Sequence, residues 1–185
     1  ASTPLALNAG ANTVDVHVTA QDDVTTKTYT VTVVRAAPAP GDFDPDFNVI
    51  AGGVINTIAV QRDGKILLGG QDIGVSRRNA DGTADTGFNV AGASNPVHSL
   101  AVLPDDKILV GGLAVPSAYR LNSDGTVDPG FVANVNGSVF STVVEPDGRI
   151  LLGGQFFEVG GQARNNVARV NANGALEPGL APDVA

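Results

Sequence analysis

The sequence predicts an all-β chain: tandem copies of a unit of four short strands, about three of them, preceded by an N-terminal β-hairpin. Three observations lead there. The block Asp-Gly-Lys-Ile-Leu-Leu-Gly-Gly at 63–70 returns twice, with its leading aspartate at Asp63, Asp105 and Asp147, a period of 42 residues. Glycine and proline are numerous, at 23 and 11, and they punctuate short segments instead of forming one tract, as turns between strands do. Valine, threonine and isoleucine are plentiful, and these residues suit a pleated, half-buried surface.

The elements follow in order. Residues 12–20 alternate, with Val14, Val16 and Val18 on one face. A polar turn is expected at 21–24. Residues 27–35 alternate again, with Tyr29, Val31 and Val33 on one face. Two alternating runs joined by a polar turn predict a hairpin. The Pro-rich stretch that follows reads as a stiff linker. Domain boundaries are therefore expected at 1–36 for the hairpin, 37–42 for the linker and 43–185 for the repeats.

Residues 5–14 and 28–35 resemble the C-terminal strands of bacterial cadherin-like β-sandwich domains. Only the last strands of such a sandwich are present, and two strands cannot bury a core alone. The hairpin is thus expected to pack on the repeats, to pack on a neighbouring molecule, or to be cut from a longer chain.

Each repeat has its own logic. A strand is expected over 55–61, then a turn at Arg62-Asp63-Gly64, where Asp and Gly tolerate positive φ. Residues 65–68 form a second strand, apolar on both faces and so sandwiched between layers. The pairs Gly69-Gly70, Gly111-Gly112 and Gly153-Gly154 mark a bulge or a close backbone approach. A third strand carries Ser76-Arg77-Arg78-Asn79, Tyr119-Arg120-Leu121-Asn122 or Ala168-Arg169-Val170-Asn171. A second Asp-Gly turn and a short fourth strand reach Phe88 or Phe131. Asp44-Pro45-Asp46-Phe47 reads as the tail of a preceding copy. Four strands in about 42 residues match the period of a propeller blade.

The repeats resemble the delta-60 type of bacterial β-propeller repeat, whose pattern runs V-x-x-x-A-V-x-P-D-G-K-I-L-V-G-G and then A-R-L-N-x-D-G-S-L-D-x-x-F. The resemblance covers 43 to about 180. It implies a propeller fold and a surface-exposed or secreted bacterial protein, and it carries over no catalytic residue. The third copy departs from the pattern at Asn173 and Glu177 and in a longer loop at 155–166. Three copies cannot close a ring, which takes about four to eight blades.

Composition narrows the function classes. The net charge of −8 opposes nucleic-acid binding and anionic membrane surfaces. The absence of cysteine excludes disulfides, thiolate metal ligands and thiol catalysis. No apolar run is long enough to span a bilayer. No basic region followed by an apolar stretch opens the chain, so no secretion leader is read there.

Several residues have the chemistry of a candidate site. Asn79, Asp81 and Asp85, and likewise Asn122, Asp124 and Asp128, offer the hard oxygen donors calcium takes. Their spacing departs from an EF-hand, and the reading adopted is a turn closed by Asx-type bonds. No cofactor is expected, calcium being the one ion the donor chemistry admits. Asp42, Asp44 and Asp46 read as a solvated segment. His17 and His98, the only imidazoles, read as strand residues. Lys65, Lys107 and Arg149 offer a cationic ring or, more plainly, pairs with the adjacent Asp63, Asp105 and Asp147. Arg78, Arg120 and Arg169 are expected to pair with the repeat's aspartates across the hairpin. Asn136-Gly137-Ser138 fits a glycosylation sequon and is read as a turn. Phe156-Phe157 is either a contact site or blade filling.

No catalytic or metal residue is assigned. The motifs of hydrolases, zinc peptidases and nucleotide-binding loops are missing, so no enzyme is expected. The chain reads as an extracellular or cell-surface structural or adhesive repeat protein that associates through β edges, into filaments if the contacts do not close. Its expected partners are other copies of itself or the rest of a longer parent chain. The alternative is a glycan- or protein-binding propeller module of a larger bacterial surface protein.

Overall fold

The computed structural model describes residues 10–19, 26–35, 47, 49, 52–90, 96–113 and 116–179. The turn expected at 21–24, the linker at 37–42 and the cluster Asp42, Asp44 and Asp46 lie outside these residues. Every named element is a strand, and every pairing is antiparallel. The chain divides into two compact units, Ala1–Pro45 and Asp46–Ala185.

The first unit holds β1 (Gly10–Thr19) and β2 (Thr26–Arg35), paired without a break from Gly10↔Arg35 to Thr19↔Thr26. The register sets Val14 opposite Val31 and Val16 opposite Tyr29. Thr28, Thr30 and Thr32 are exposed, as the alternation predicts.

Among the described residues, the second unit is a row of three three-stranded sheets, here called blades. Blade 1 is β3 (Ile55–Val60), β4 (Ile66–Gly70) and β5 (Gly74–Arg78). Blade 2 is β6 (Val97–Val102), β7 (Ile108–Gly112) and β8 (Ala118–Leu121). Blade 3 starts with β9 (Ser138–Val144) and β10 (Ile150–Gln155). A small hairpin follows, β11 (Glu158–Val159) and β12 (Gln162–Ala163), and then β13 (Val167–Val170) completes the sheet. In each blade the second strand of the repeat lies in the middle.

The expected fourth strand is reduced to a single bridge in each copy: Arg78↔Ala84, Leu121↔Val127 and Val170↔Leu176. The chain turns away at once. The Asp85 N–H reaches back to the Arg77 carbonyl at 3.1 Å, and the Phe88 N–H bonds the Asp85 carbonyl at 3.3 Å. These bonds end the ladder after one residue.

The blades are held by two apolar layers between them. Leu67 and Val75 of blade 1 pack with Val97, Leu100, Ile108 and Val110 of blade 2. Leu109 and Ala118 of blade 2 pack with Val139, Ile150, Leu152 and Ala168 of blade 3. The middle strand of blade 2 is therefore buried on both sides, which explains its unbroken apolar run.

The glycine pairs do two separate jobs. The second glycine faces backbone: a Cβ on Gly112 would stand 2.5 Å from the Pro96 carbonyl oxygen, and one on Gly70 or Gly154 would collide with Val54 or Ser138. The first strand bulges beside this point in all three blades. The first glycine faces the next blade. A Cβ on Gly69 would meet Val97 Cγ1 at 2.7 Å, and one on Gly111 would meet Val139 Cγ1 at 2.9 Å.

The row has two open ends. Ile58 of blade 1 is 62% exposed, whereas its counterparts Leu100 and Thr142 are 9% and 8% exposed. Val143 of blade 3 is 52% exposed, whereas its counterparts Ala59 and Ala101 are half-buried. Among the described residues, a Cβ on Gly153 would meet nothing nearer than Ser141 Cβ at 3.8 Å.

This geometry makes the glycines unequal. Gly112→Ala forces backbone apart and should cost about 2 kcal/mol, in the range of overpacked cores. Gly153→Ala should change stability by less than about 0.5 kcal/mol. Urea unfolding of the two variants checks the contrast, and equal costs would contradict it.

Candidate functional site

The repeated charges meet at one end of each blade, where the turn after the first strand lies beside the segment leading to Phe88 or Phe131. Asp85 Oδ2 accepts from Lys65 Nζ at 2.8 Å and from Arg77 Nε at 2.8 Å. Its Oδ1 accepts from the Gly87 N–H at 3.0 Å. Arg77 Nη1 donates to Gln61 Oε1 at 3.2 Å and to the Ser123 carbonyl of the next blade's turn at 2.6 Å. The guanidinium also lies 4.3 Å above the Phe88 ring, a cation–π contact.

The second copy repeats the set. Asp128 Oδ2 accepts from Lys107 Nζ at 2.8 Å and from Arg120 Nε at 2.7 Å, while Arg120 Nη1 donates to the Ala172 carbonyl at 2.6 Å. The third copy is rewired. Its counterpart of Asp85 is Glu177, and Arg169 instead grips Glu145 through Nε at 2.8 Å and Nη2 at 3.0 Å. Glu145 stands where the other copies have Gln61 and Leu103. Arg149 joins it, with Nε 3.5 Å from Glu145 Oε2 and Nη2 2.7 Å from Asp147 Oδ2.

Two expected pairings need correction. Lys65 and Lys107 do not pair with Asp63 and Asp105. Those carboxylates accept the backbone N–H of Lys65 and Lys107 at 3.1 and 3.3 Å, closing the turn. The ammonium groups reach across the sheet to Asp85 and Asp128 instead. Arg149 alone pairs with its adjacent aspartate as expected. The arginine equivalent to Arg120 and Arg169 is Arg77, not Arg78. Counting two residues back from Asn79, Asn122 and Asn171 places it, so the signal was present in the alignment.

Hydrogen bonds from Lys65 hold the Asp85 carboxyl at about 2, with Arg77 adding to the effect. Hydrogen bonds from Lys107, and then from the Gly130 N–H, hold Asp128 at about 2 as well. A carboxylate gripped by two cations is a poor proton acceptor. It serves as a clamp that ties two strands of one blade to the turn of the next. A cleft of about 230 Å³ opens beside the first clamp, lined by Gln61, Asp63, Lys65, Arg77, Asp106 and Ser123.

The calcium candidates are dispersed among other partners. Asn79 Nδ2 donates to Thr83 Oγ1 at 2.9 Å, and Asp81 Oδ1 accepts the N–H and hydroxyl of Thr83 at 3.0 and 2.7 Å. Asn122, Thr126 and Asp124 repeat this. Asp85 and Asp128 already face two cations each. The donors therefore do not converge on a coordination shell. These are the Asx-type turns the spacing suggests, and in the third copy Asn173 Oδ1 accepts the Ala175 N–H in the same way at 3.0 Å.

The remaining candidates separate. His98 lies between blades, its ring edge-on to Phe140 at 5.4 Å. Side chains of β1, including His17, lie outside the described residues except Thr13. The aromatic pair splits: Phe156 is 2% exposed and belongs to the core, and Phe157 is 67% exposed. Asn136 is not a hairpin turn. It sits at a bend before β9, where its Oδ1 accepts the N–H groups of Phe157 and Glu158 at 3.2 and 2.8 Å. The β11–β12 hairpin is joined to the same segment by the Val135↔Val159 bridge.

Asp128 and Asp85 bind fewer protons folded than unfolded. Their folded values near 2 lie below the ordinary 3.8, so their contribution is present above about pH 4 and is lost as pH falls toward 2. Asp128→Asn should cost about 2 kcal/mol at neutral pH, the scale of charge-assisted hydrogen bonds. It should also shrink the fall in stability between pH 4 and 2. Urea midpoints across that range check both parts, and an acid limb as steep as in the parent chain would contradict the assignment.

A family model described as a domain of unknown function (DUF5122) beta-propeller matches residues 61–88, 103–131 and 145–179. A cadherin-like beta sandwich domain model matches residues 1–36. No curated protein matches the chain.

Proposed function

We propose, from the premise that the repeats over 61–179 belong to the DUF5122 beta-propeller family, that this chain is a non-enzymatic structural or adhesive protein of the bacterial cell surface that associates with other copies of itself through its open β surfaces. One observation carries the reading. The row holds three blades where a ring takes about four to eight, and it ends at both sides in exposed apolar residues, Ile58 and Val60 at one end and Phe140 and Val143 at the other. Contiguous apolar surface of this kind marks interaction sites.

Further points support it. The repeat and cadherin-like matches together indicate an extracellular-type repeat module. The hairpin of β1 and β2 lies in the segment matched by the cadherin-like sandwich model, and strands with open edges add readily to a neighbour's sheet. The recurrent carboxylates are spent on turns and clamps, which leaves the repeat pattern explained by folding. No helix among the described residues is long and apolar enough to cross a membrane.

Light scattering of the purified chain over a wide concentration range tests the proposal. The mass should rise above the 18.7 kDa of one chain as concentration increases. A folded, monodisperse monomer at every concentration would rule the proposal out.

A further inference from the structure

We infer that the two open ends of the row are mates: the Gly153 face of blade 3 receives the Ile58 face of blade 1 from a second copy, head to tail. The inference rests on the self-association reading above and names the surface that carries it. The interface is already on view twice inside the chain, between blades 1 and 2 and between blades 2 and 3, so the open faces continue an existing interface.

The receiving face has a fixed composition. Blade 1 offers Leu67, Gly69 and Arg77, and blade 2 offers Leu109, Gly111 and Arg120. The same positions in blade 3 hold Leu151, Gly153 and Arg169. The entering face of blade 2 carries Val97, Leu100, Ile108 and Val110. In blade 1 these positions hold Ile55, Ile58, Ile66 and Leu68, which with Phe47 and Val60 line an apolar groove of about 340 Å³. The groove residues are those that a preceding blade would cover.

Gly153 is the most telling residue. Its counterparts Gly69 and Gly111 are flat because Val97 and Val139 press on them. Among the described residues nothing presses on Gly153, and a side chain there would meet only Ser141. The arginines agree. Arg77 and Arg120 each donate from Nη1 to the carbonyl at the same place in the next blade's turn, Ser123 and Ala172. The corresponding acceptor for Arg169 is the Ala80 carbonyl of the second copy. Two copies joined in this way bring six blades, within the range of closed rings. If the blade rotation does not close, the same contact propagates a filament.

Two single variants test the contact, because each blocks one face and leaves the other intact. Gly153→Val fills the receiving face, and Ile58→Lys puts a charge on the entering one. Both positions are open in the single chain, so circular dichroism and thermal midpoints at low concentration should match the parent. By light scattering, each variant alone should associate at least tenfold more weakly than the parent. Their equimolar mixture restores one good contact and should associate more strongly than either alone. Variants that associate like the parent, or a mixture no stronger than its components, would overturn the face-to-face contact while leaving self-association through edges or hairpin standing. A parent chain that stays monomeric would overturn both.

Discussion

The structure depends on a geometric constraint: a sheet of three strands cannot bury its own middle strand. Ile66–Gly70 and Ile108–Gly112 are apolar on both sides, and burial of such residues requires a layer above and a layer below. Each blade thus depends on its neighbours, the hallmark of repeat architectures. The glycine that begins each Gly-Gly pair sets how close the layers come. Without a side chain at Gly69 or Gly111, the first strand of the next blade settles directly on the middle strand. Apolar contact at that distance forfeits little of its dispersion attraction.

The polar contacts fix the register of this stack. Asp85 and Asp128 each gather a lysine and an arginine from two strands of their own blade, and the arginine continues to the next blade's turn. One side chain thereby joins three pieces of chain. In the third copy the carboxylate moves from the fourth segment to Glu145 at the end of the first strand, and Arg169 follows it. The clamp is retained while its anchor changes, so a sequence departure that reads as decay is a relocation.

Much of this was legible in the residues. The aspartates at 63, 105 and 147 announced their turns, the unbroken run Ile66-Leu67-Leu68 announced a sandwiched strand, and the Gly pairs announced close approach. The partners of the charges were not legible. Lys65 stands two residues from Asp63, yet its ammonium finds Asp85, twenty positions away, because the turn aspartate is already occupied by backbone. Glu145 carries no signal of its own in the sequence, because its role depends on Arg169 across the sheet. The expected fourth strand shrinks to one bridge because the Asp-Gly turn does not reveal that Asp85 and Phe88 turn the chain away after it. Phe156 and Phe157 look equivalent in sequence and part only when the bend after β10 sends one ring inward.

The β11–β12 insertion bears on how such a chain finds its own arrangement. Near-identical strands such as Ile66–Gly70 and Ile108–Gly112 can exchange places while folding, and misassembly of that kind is a common failure of repeat proteins. The insertion makes blade 3 distinguishable. Asn136 holds its backbone at Phe157 and Glu158, and Val135 bridges to Val159, contacts that neither of the other copies can offer. Of three similar modules, it is the one with a contact surface of its own.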